Sequence, residues 1–244
     1  MIYFCHGAPG GPADASLLSI QGVVAPNLFA SAPLAQFDVD TADELDGSVH
    51  LVGFSIGAMV ALRLAASRPE RVGKVTLISP AAPLALGDFL PDMAGASVFK
   101  MAMRAPAALR ALTGLQGLGV KIAPDFVLNR LFAKAGEQER LLMAEPEVHR
   151  VLRAGLRNSL RDHPTAYVQA VCAYVGDWSG ALPKVTCPVE IWHGEADTWA
   201  PIAMAEALVA ALPCGAVLHR VQGGEHYSTL MSSQPHFEPP THNQ

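Results

Sequence analysis

The stretch VHLVGFSIGAMVALRLAAS, residues 49–67, decides the fold of this chain. Residues 49–52 form an apolar run typical of a buried strand, and residues 56–67 have the apolar spacing of a helix that ends before Pro69. The pentapeptide Gly53-Phe54-Ser55-Ile56-Gly57 lies at their junction, and it is a G-x-S-x-G turn. Such a turn exposes its serine, while its glycines let strand and helix approach closely. The pattern predicts Ser55 as a nucleophile.

Five further short apolar runs predict additional strands. They cover residues 2–5, 23–25, 75–78, 189–192 and 217–221. These runs do not alternate cleanly between apolar and polar residues, which is typical of strands buried on both faces of a parallel sheet. Residues 201–212 predict a second helix with proline in its first turn. The alternation predicts an α/β fold with a mostly parallel sheet of about six strands, flanked by helices.

The alternation is interrupted between residues 83 and 182, where the sequence has helical spacing and no convincing strand. This stretch predicts a helical cap or lid that is more basic than the rest of the chain. Three segments follow: a first part of the core at residues 1–82, the cap at 83–182 and a second part of the core at 183–244.

Composition excludes several classes of protein. The chain has 244 residues, 17 Lys plus Arg against 22 Asp plus Glu, and a net charge of −5, which repels nucleic acid. Its four cysteines form no C-x-x-C pair, so neither a zinc module nor a disulfide scaffold is indicated. The N-terminus does not resemble a signal peptide, and no apolar run reaches the roughly 18 residues of a membrane span. We expect a cytoplasmic protein without stable membrane insertion.

A nucleophilic serine needs a general base that is oriented by a carboxylate. The loop His193-Gly194-Glu195-Ala196-Asp197 follows one predicted strand, and a loop that ends in His226 follows the last. The carboxyl ends of parallel strands meet at one edge of the sheet, so we predict Asp197 as the acid and His226 as the base. Glu195 competes for the role of acid, and His193 competes for that of base.

Acyl transfer also needs donors for the developing oxyanion. One predicted donor is the amide of Ile56, directly after the nucleophile. The other is the amide of Ala8, in the glycine-rich turn at residues 6–11, since Pro9 has no N–H.

Four segments together resemble the α/β-hydrolase superfamily. They are HGAPGG at 6–11, GFSIGAMVALRLAASRPERVGKVTLISPAAP at 53–83, WHGEADTWAP at 192–201 and GGEHYS at 223–228. The resemblance implies Ser55 as nucleophile, Asp197 as acid and His226 as base. It also implies hydrolysis of a small-molecule acyl substrate, an ester, thioester or lactone, through an acyl-enzyme and with no metal or organic cofactor. Family members usually begin with two more strands, so the chain is expected to have a shorter sheet with an exposed edge, or a homodimer that covers it.

Other functions remain open on the same residues. HGAPGG is similar to the H-G-G-P-G of proline iminopeptidases, which would need cap carboxylates, and the available ones are Glu137, Glu139, Glu145 and Glu147. Acyl transfer and C–C bond hydrolysis use the same triad. A ligand-binding protein on a hydrolase scaffold is the alternative from another class.

The cap offers two candidate features for substrate choice. Arg150, Arg153, Arg157 and Arg161 have the spacing of one helical stripe, which predicts either a solvated face or a site for a carboxylate or phosphate. Residues 99–120 carry an apolar series that predicts either an acyl pocket or ordinary packing: Met101, Met103, Leu109, Leu112, Leu115 and Leu118.

Overall fold

The computed structural model describes residues 1–18, 20–30, 36–37 and 49–233. The end of the second core segment, residues 234–244, lies outside the described residues. The strands are β1 (Ile2–Cys5), β2 (Val23–Val24), β3 (Val49–Phe54), β4 (Val72–Ile78), β5 (Val189–Gly194) and β6 (Ala216–Val221).

The six described strands form one sheet in the order β2-β1-β3-β4-β5-β6, and every neighbouring pair is parallel. The predicted α/β fold with a parallel sheet of about six strands is confirmed. Tyr3, Phe4, Leu51 and Val52 on the central strands are fully buried. Alternating residues of a strand point to opposite faces, so burial of consecutive residues means that both faces are covered.

The helices are α1 (Gly57–Ser67), α2 (Ala96–Arg104), α3 (Pro106–Ile122), α4 (Pro124–Leu131), α5 (Glu137–Ala144), α6 (Pro146–Leu156), α7 (Pro164–Val175), α8 (Ile202–Ala211) and α9 (His226–Ser232). The predicted helices at 56–67 and 201–212 each begin one residue later, and the second ends one residue earlier. Helices α1, α8 and α9 pack against the sheet.

Helices α2 to α7 and a π-helical segment, Arg157–Asp162, fill the stretch between β4 and β5. Residues 79–188 are all described, and they contain no strand. These helices pack mainly on one another, while α6 also contacts the 3-10 helix Pro12–Leu17 and α5 contacts α9. The division into core and cap segments at residues 82 and 182 stays a prediction.

Gly57 lets α1 approach the first strand closely. A Cβ atom at this position would collide with the carbonyl oxygen of Cys5. At Gly53, on the other side of the turn, a Cβ atom would lie 2.8 Å from the Cα of Ala58. Both outer glycines of the G-x-S-x-G turn are therefore required by backbone packing.

Candidate active site

Ser55 occupies the turn between β3 and α1 in a conformation that few side chains adopt. Its φ is 56°, in the left-handed region. The surrounding backbone holds it there: the N–H of Ser55 donates to Ile78 O at 3.1 Å, and its carbonyl accepts from Ala58 and Ala81, each at 3.1 Å. Strain that neighbours hold in this way is typical of functional sites.

Asp197 lies in the loop after β5 and is buried. Its Oδ1 accepts the N–H of Trp199 at 2.8 Å and that of Ala200 at 3.0 Å, and its Oδ2 accepts from His226 Nδ1 at 2.7 Å. Burial raises the pKa of Asp197, but the charge of His226 and these hydrogen bonds outweigh it and hold the pKa below its usual value. Asp197 is therefore an ionised carboxylate.

His226 is the first residue of α9, which follows β6. Its Nδ1 proton goes to Asp197, so Nε2 has a lone pair available to accept a proton. The imidazole is stacked on Trp199, with ring centroids 5.6 Å apart and planes 12° apart, and it also contacts Phe54, at 4.8 Å. Its carbonyl accepts from Ser79 Oγ at 3.2 Å.

The predicted triad is thus assembled in part. The hydrogen bond between acid and base is formed, and Ser55 directly follows Phe54, whose ring contacts the base. Among the described residues no hydrogen bond joins Ser55 Oγ to His226. Such bonds are often long in unliganded enzymes and tighten when substrate binds.

The two alternative candidates, His193 and Glu195, take no part in the hydrogen bond between His226 and Asp197. His193 is fully buried, its Nε2 donates to Ala200 O at 2.6 Å, and burial lowers its pKa. It is therefore neutral, and its Nε2 lies 3.7 Å from Asp197 Oδ2, beyond hydrogen-bonding distance. Glu195 is exposed to solvent. His193 is therefore not placed as the base, and Glu195 is not placed as the acid.

The two predicted oxyanion donors both border one cavity of about 440 Å³. The N–H groups of Ala8 and Ile56 have no hydrogen-bond partner among the described residues. A Cβ atom at Gly7 would lie 3.1 Å from the Cβ of Ser55, so the glycine-rich turn passes directly beside the nucleophile. Two unpaired amides near a serine are the arrangement that an oxyanion requires.

The glycine-rich turn is held by the π-helical segment. Gly10 N–H donates to Ser159 Oγ at 2.8 Å, and the Gly10 carbonyl accepts from Ser159 Oγ and Asn158 Nδ2, each at 2.9 Å. On the other side, His6 Nδ1 donates to Gly7 O at 2.8 Å, and burial lowers the pKa of His6 to about 4. These hydrogen bonds to the turn come from neutral groups.

A second cavity, of about 490 Å³, lies between the helical insertion and the core, with Trp199 and Pro9 in its wall. From the predicted apolar series at 99–120 none of the six named residues lines it, and the segment contributes only Gln116. Leu115 and Leu118 are instead 67% and 53% exposed. This cavity therefore does not support the acyl-pocket alternative for the series, and the buried Leu109 fits the other alternative, ordinary packing.

The predicted arginine stripe is interrupted, because α6 ends at Leu156 and continues as a π-helix. Arg150 pairs with Glu147, Arg153 Nη1 lies 3.4 Å from Asp125 Oδ1, and Arg157 Nε lies 3.1 Å from Asp162 Oδ2. Three of the four arginines thus have local carboxylate partners on an exposed face.

Sequence reasoning missed Trp199, Asp14 and Glu225, and it named Glu139 only as a possible carboxylate for a peptidase. Asp14 and Glu139 are carboxylic acids with about 1% exposure each. Among the described residues, no cluster of His, Cys, Asp and Glu could hold a metal ion. No helix among those residues has the length and hydropathy of a membrane span.

A family profile described as "alpha/beta hydrolase fold" matches residues 45–230. A pimeloyl-[acyl-carrier protein] methyl ester esterase of Aromatoleum aromaticum is 32% identical over 181 residues, which cover 70% of this chain and 64% of that protein. The chain thus spans less than two thirds of this relative's length.

Solved structures resemble more than nine tenths of the chain at low sequence identity. A thermophilic esterase from Thermogutta terrifontis matches with a TM-score of 0.64 and 18% identity, covering 94% of this chain and 84% of that one. An enol-lactonase from Burkholderia xenovorans LB400 matches with a TM-score of 0.57 and 16% identity, covering 93% and 84%. The profile match extends over well more than half of the chain, and the chain belongs to the alpha/beta hydrolase fold family.

Proposed function

We propose that this protein is a serine hydrolase of small to medium carboxylic esters, thioesters or lactones. The observation that carries the proposal is the buried 2.7 Å hydrogen bond from His226 to Asp197, beside a serine held at positive φ. A histidine oriented by a carboxylate is a general base, and a serine at such a turn is its usual partner. The esterase among the relatives supports an ester substrate.

In the proposed mechanism, Ser55 Oγ attacks the carbonyl carbon while His226 Nε2 takes the hydroxyl proton. The carbonyl oxygen becomes an oxyanion, which the N–H groups of Ala8 and Ile56 stabilise. When the tetrahedral intermediate collapses, His226 gives its proton to the departing alcohol or thiol, and an acyl-enzyme remains. Water then attacks the acyl carbon while His226 Nε2 takes its proton. The bond from the acyl carbon to Ser55 Oγ breaks, the carboxylic acid departs, and His226 returns the proton to Ser55 Oγ.

The peptidase alternative has less support. Its substrate amine would need a carboxylate in the pocket, and none lines the 490 Å³ cavity among the described residues. Glu139 accepts backbone N–H groups, Glu147 pairs with Arg150, and Glu137 and Glu145 are exposed. Acyl transfer and C–C bond hydrolysis use the same proposed residues and differ only in the final acceptor or in the bond that breaks.

Pre-steady-state kinetics with p-nitrophenyl esters of increasing acyl length test the proposal. We expect a burst of p-nitrophenol equal to the enzyme concentration, and an acyl adduct on Ser55 in the mass spectrum of the quenched protein. The optimum chain length then measures the acyl pocket. Absence of both burst and adduct with every ester would contradict the proposal and favour the non-catalytic binding protein.

The rim of the 490 Å³ cavity predicts a preference for anionic esters. Arg130 and Lys134 line it, both are exposed, and neither has an ion-pair partner among the described residues. Exposed charge pairs contribute about 0.2–1 kcal/mol each. We therefore expect kcat/KM for mono-p-nitrophenyl glutarate to exceed that for p-nitrophenyl valerate by about 3- to 10-fold at low salt.

The double variant Arg130→Gln/Lys134→Gln should lose this preference. Arg110→Gln/Lys121→Gln is its matched control, since it removes two exposed cations of α3 that do not line the cavity. Equal preference in wild type and both double variants would show that the rim does not select charge.

A further inference from the structure

Two carboxylates link helix α5 to the helix that begins with His226. Glu139, on α5, accepts the backbone N–H of Tyr227 at 2.7 Å and that of Ser228 at 3.1 Å. Glu225, the residue before α9, accepts the N–H of Gly136 at 2.6 Å and that of Glu139 at 3.4 Å. Each helix therefore receives a carboxylate from the other at its first turn, where N–H groups have no partner within the helix.

Glu139 is unusual because it is a buried acid without a basic partner. About 1% of it is exposed, and no Lys or Arg among the described residues forms an ion pair with it. A carboxylate in such a place is costly unless hydrogen bonds and nearby positive charge stabilise it. It accepts both of its hydrogen bonds from backbone N–H groups directly after His226. The charge of His226 also lowers the pKa of Glu139.

Burial sets the titration of Glu139, and its polar and charged neighbours modify it. Burial raises the pKa of Glu139 to about 7, the Tyr227 and Ser228 amides and the charge of His226 lower it, and the charge of Glu225 raises it. The phenol of Tyr227 stays neutral, because burial and the charges of Asp14 and Glu139 raise its pKa well above the usual value. Glu139 is therefore an anion at pH 8.

Resting on the triad proposed above, we propose that Glu139 is a positioning residue for His226, which fixes the backbone of residues 226–228 and adds a second negative charge beside the imidazole. Asp197 holds Nδ1 of the ring, but one hydrogen bond does not fix the Cα–Cβ bond from which the ring extends. The two hydrogen bonds that Glu139 accepts from the N–H groups of Tyr227 and Ser228 fix that bond. The imidazolium that forms when His226 takes the serine proton then has two carboxylates nearby.

Glu139→Gln tests this, with Glu137→Gln as matched control. Both substitutions remove one negative charge from α5, but Glu137 is exposed. A glutamine oxygen accepts only one of the two N–H groups, since its NH2 faces the other. We expect kcat for p-nitrophenyl butyrate to fall about 10- to 100-fold in E139Q, with KM within about 2-fold, because misplacement of a catalytic group affects the chemical step.

The pH profile separates positioning from plain loss of stability. In E139Q the acidic limb of kcat/KM should move to lower pH, because the imidazolium has lost an anionic neighbour, while E137Q keeps the wild-type profile. Glu139→Asp keeps the charge on a shorter side chain, so it should restore the acidic limb but not the full kcat. An E139Q enzyme with the kcat and profile of E137Q would overturn the proposal.

A measurement that does not depend on turnover separates the test of Glu139 from the test of the proposed function. The NMR titration of the His226 ring, in protein with isotope-labelled histidine, should have a lower midpoint in E139Q than in E137Q. Identical midpoints overturn the role of Glu139, whatever the esterase assay gives. Absence of Ser55-dependent turnover in wild type contradicts the proposed function alone. If E139Q does not fold, a wild-type kcat in E139D overturns the proposal, and a lowered kcat with an unchanged limb supports it.

Discussion

Replacing Ser55 by alanine should lower kcat for p-nitrophenyl butyrate by a factor on the order of 10⁵ to 10⁶. The substitution removes the only atom that forms the acyl bond, and His226 then has no hydroxyl proton to take. The residual rate comes from the two unpaired amides and from substrate binding, which still favour attack by water. The fold should persist, because the backbone hydrogen bonds that hold residue 55 at φ 56° involve no side-chain atom.

Ser67→Ala is the matched control for this measurement. Ser67 is at the end of the same helix, and its hydroxyl donates to Leu64 O at 3.0 Å, away from the candidate site. It should keep wild-type kcat. More than a tenth of the wild-type activity in Ser55→Ala, at equal thermal stability, would mean that another group is the nucleophile.

Asp14→Asn should stabilise the protein at pH 8. Asp14 is buried, its Oδ2 accepts one hydrogen bond from Gly11 N–H at 3.2 Å, and its Oδ1 has no partner among the described residues. Burial raises the pKa of Asp14 from 3.8 to about 7, although the Gly11 hydrogen bond lowers it. Between these two pH values the folded protein holds a proton that the unfolded chain has released, so the free energy of unfolding falls as the pH rises.

Asparagine has no charge to bury and still accepts from Gly11. At about 1.4 kcal/mol per pKa unit, Asp14→Asn should be more stable than wild type by up to about 4 kcal/mol at pH 8. The difference should shrink toward zero near pH 4, where Asp14 is protonated in the folded state. Urea unfolding at both pH values measures it, with Asp88→Asn as the exposed control. If the difference in the free energy of unfolding between Asp14→Asn and wild type is the same at pH 4 and pH 8, the carboxyl of Asp14 is not buried in ionised form.

The sequence predicted what is encoded locally. A strand, a G-x-S-x-G turn and a helix are contiguous, so the place of Ser55 could be read from residues 49–67. Asp197 and His226 could be predicted because loops after parallel strands meet at one edge of the sheet. The structure adds that these two are hydrogen-bonded.

The remaining features depend on contacts between distant parts of the chain. Glu139 and Glu225 are 86 residues apart, and nothing in the sequence of α5, EQERLLMA, marks one of its two glutamates as buried. Asp14 lies in a proline- and glycine-rich turn that resembles an exposed loop. The sequence could not show which residues of the apolar series at 99–120 are buried, because Leu115 and Leu118 share helical spacing with inward-facing residues but lie on the exposed side.

Side-chain hydrogen bonds fasten the helical insertion to the core at the glycine-rich turn and at the start of α9. Asn158 and Ser159 hold the glycine-rich turn through Gly10, and Glu139 and Glu225 cross between α5 and α9. An insertion with such links is not an interchangeable module. A chimera that carried another family member's insertion between residues 83 and 182 would leave Gly10 and the amides after His226 without their partners. Exchange of specificity by grafting would therefore require Asn158, Ser159 and Glu139 to be carried over with the new pocket.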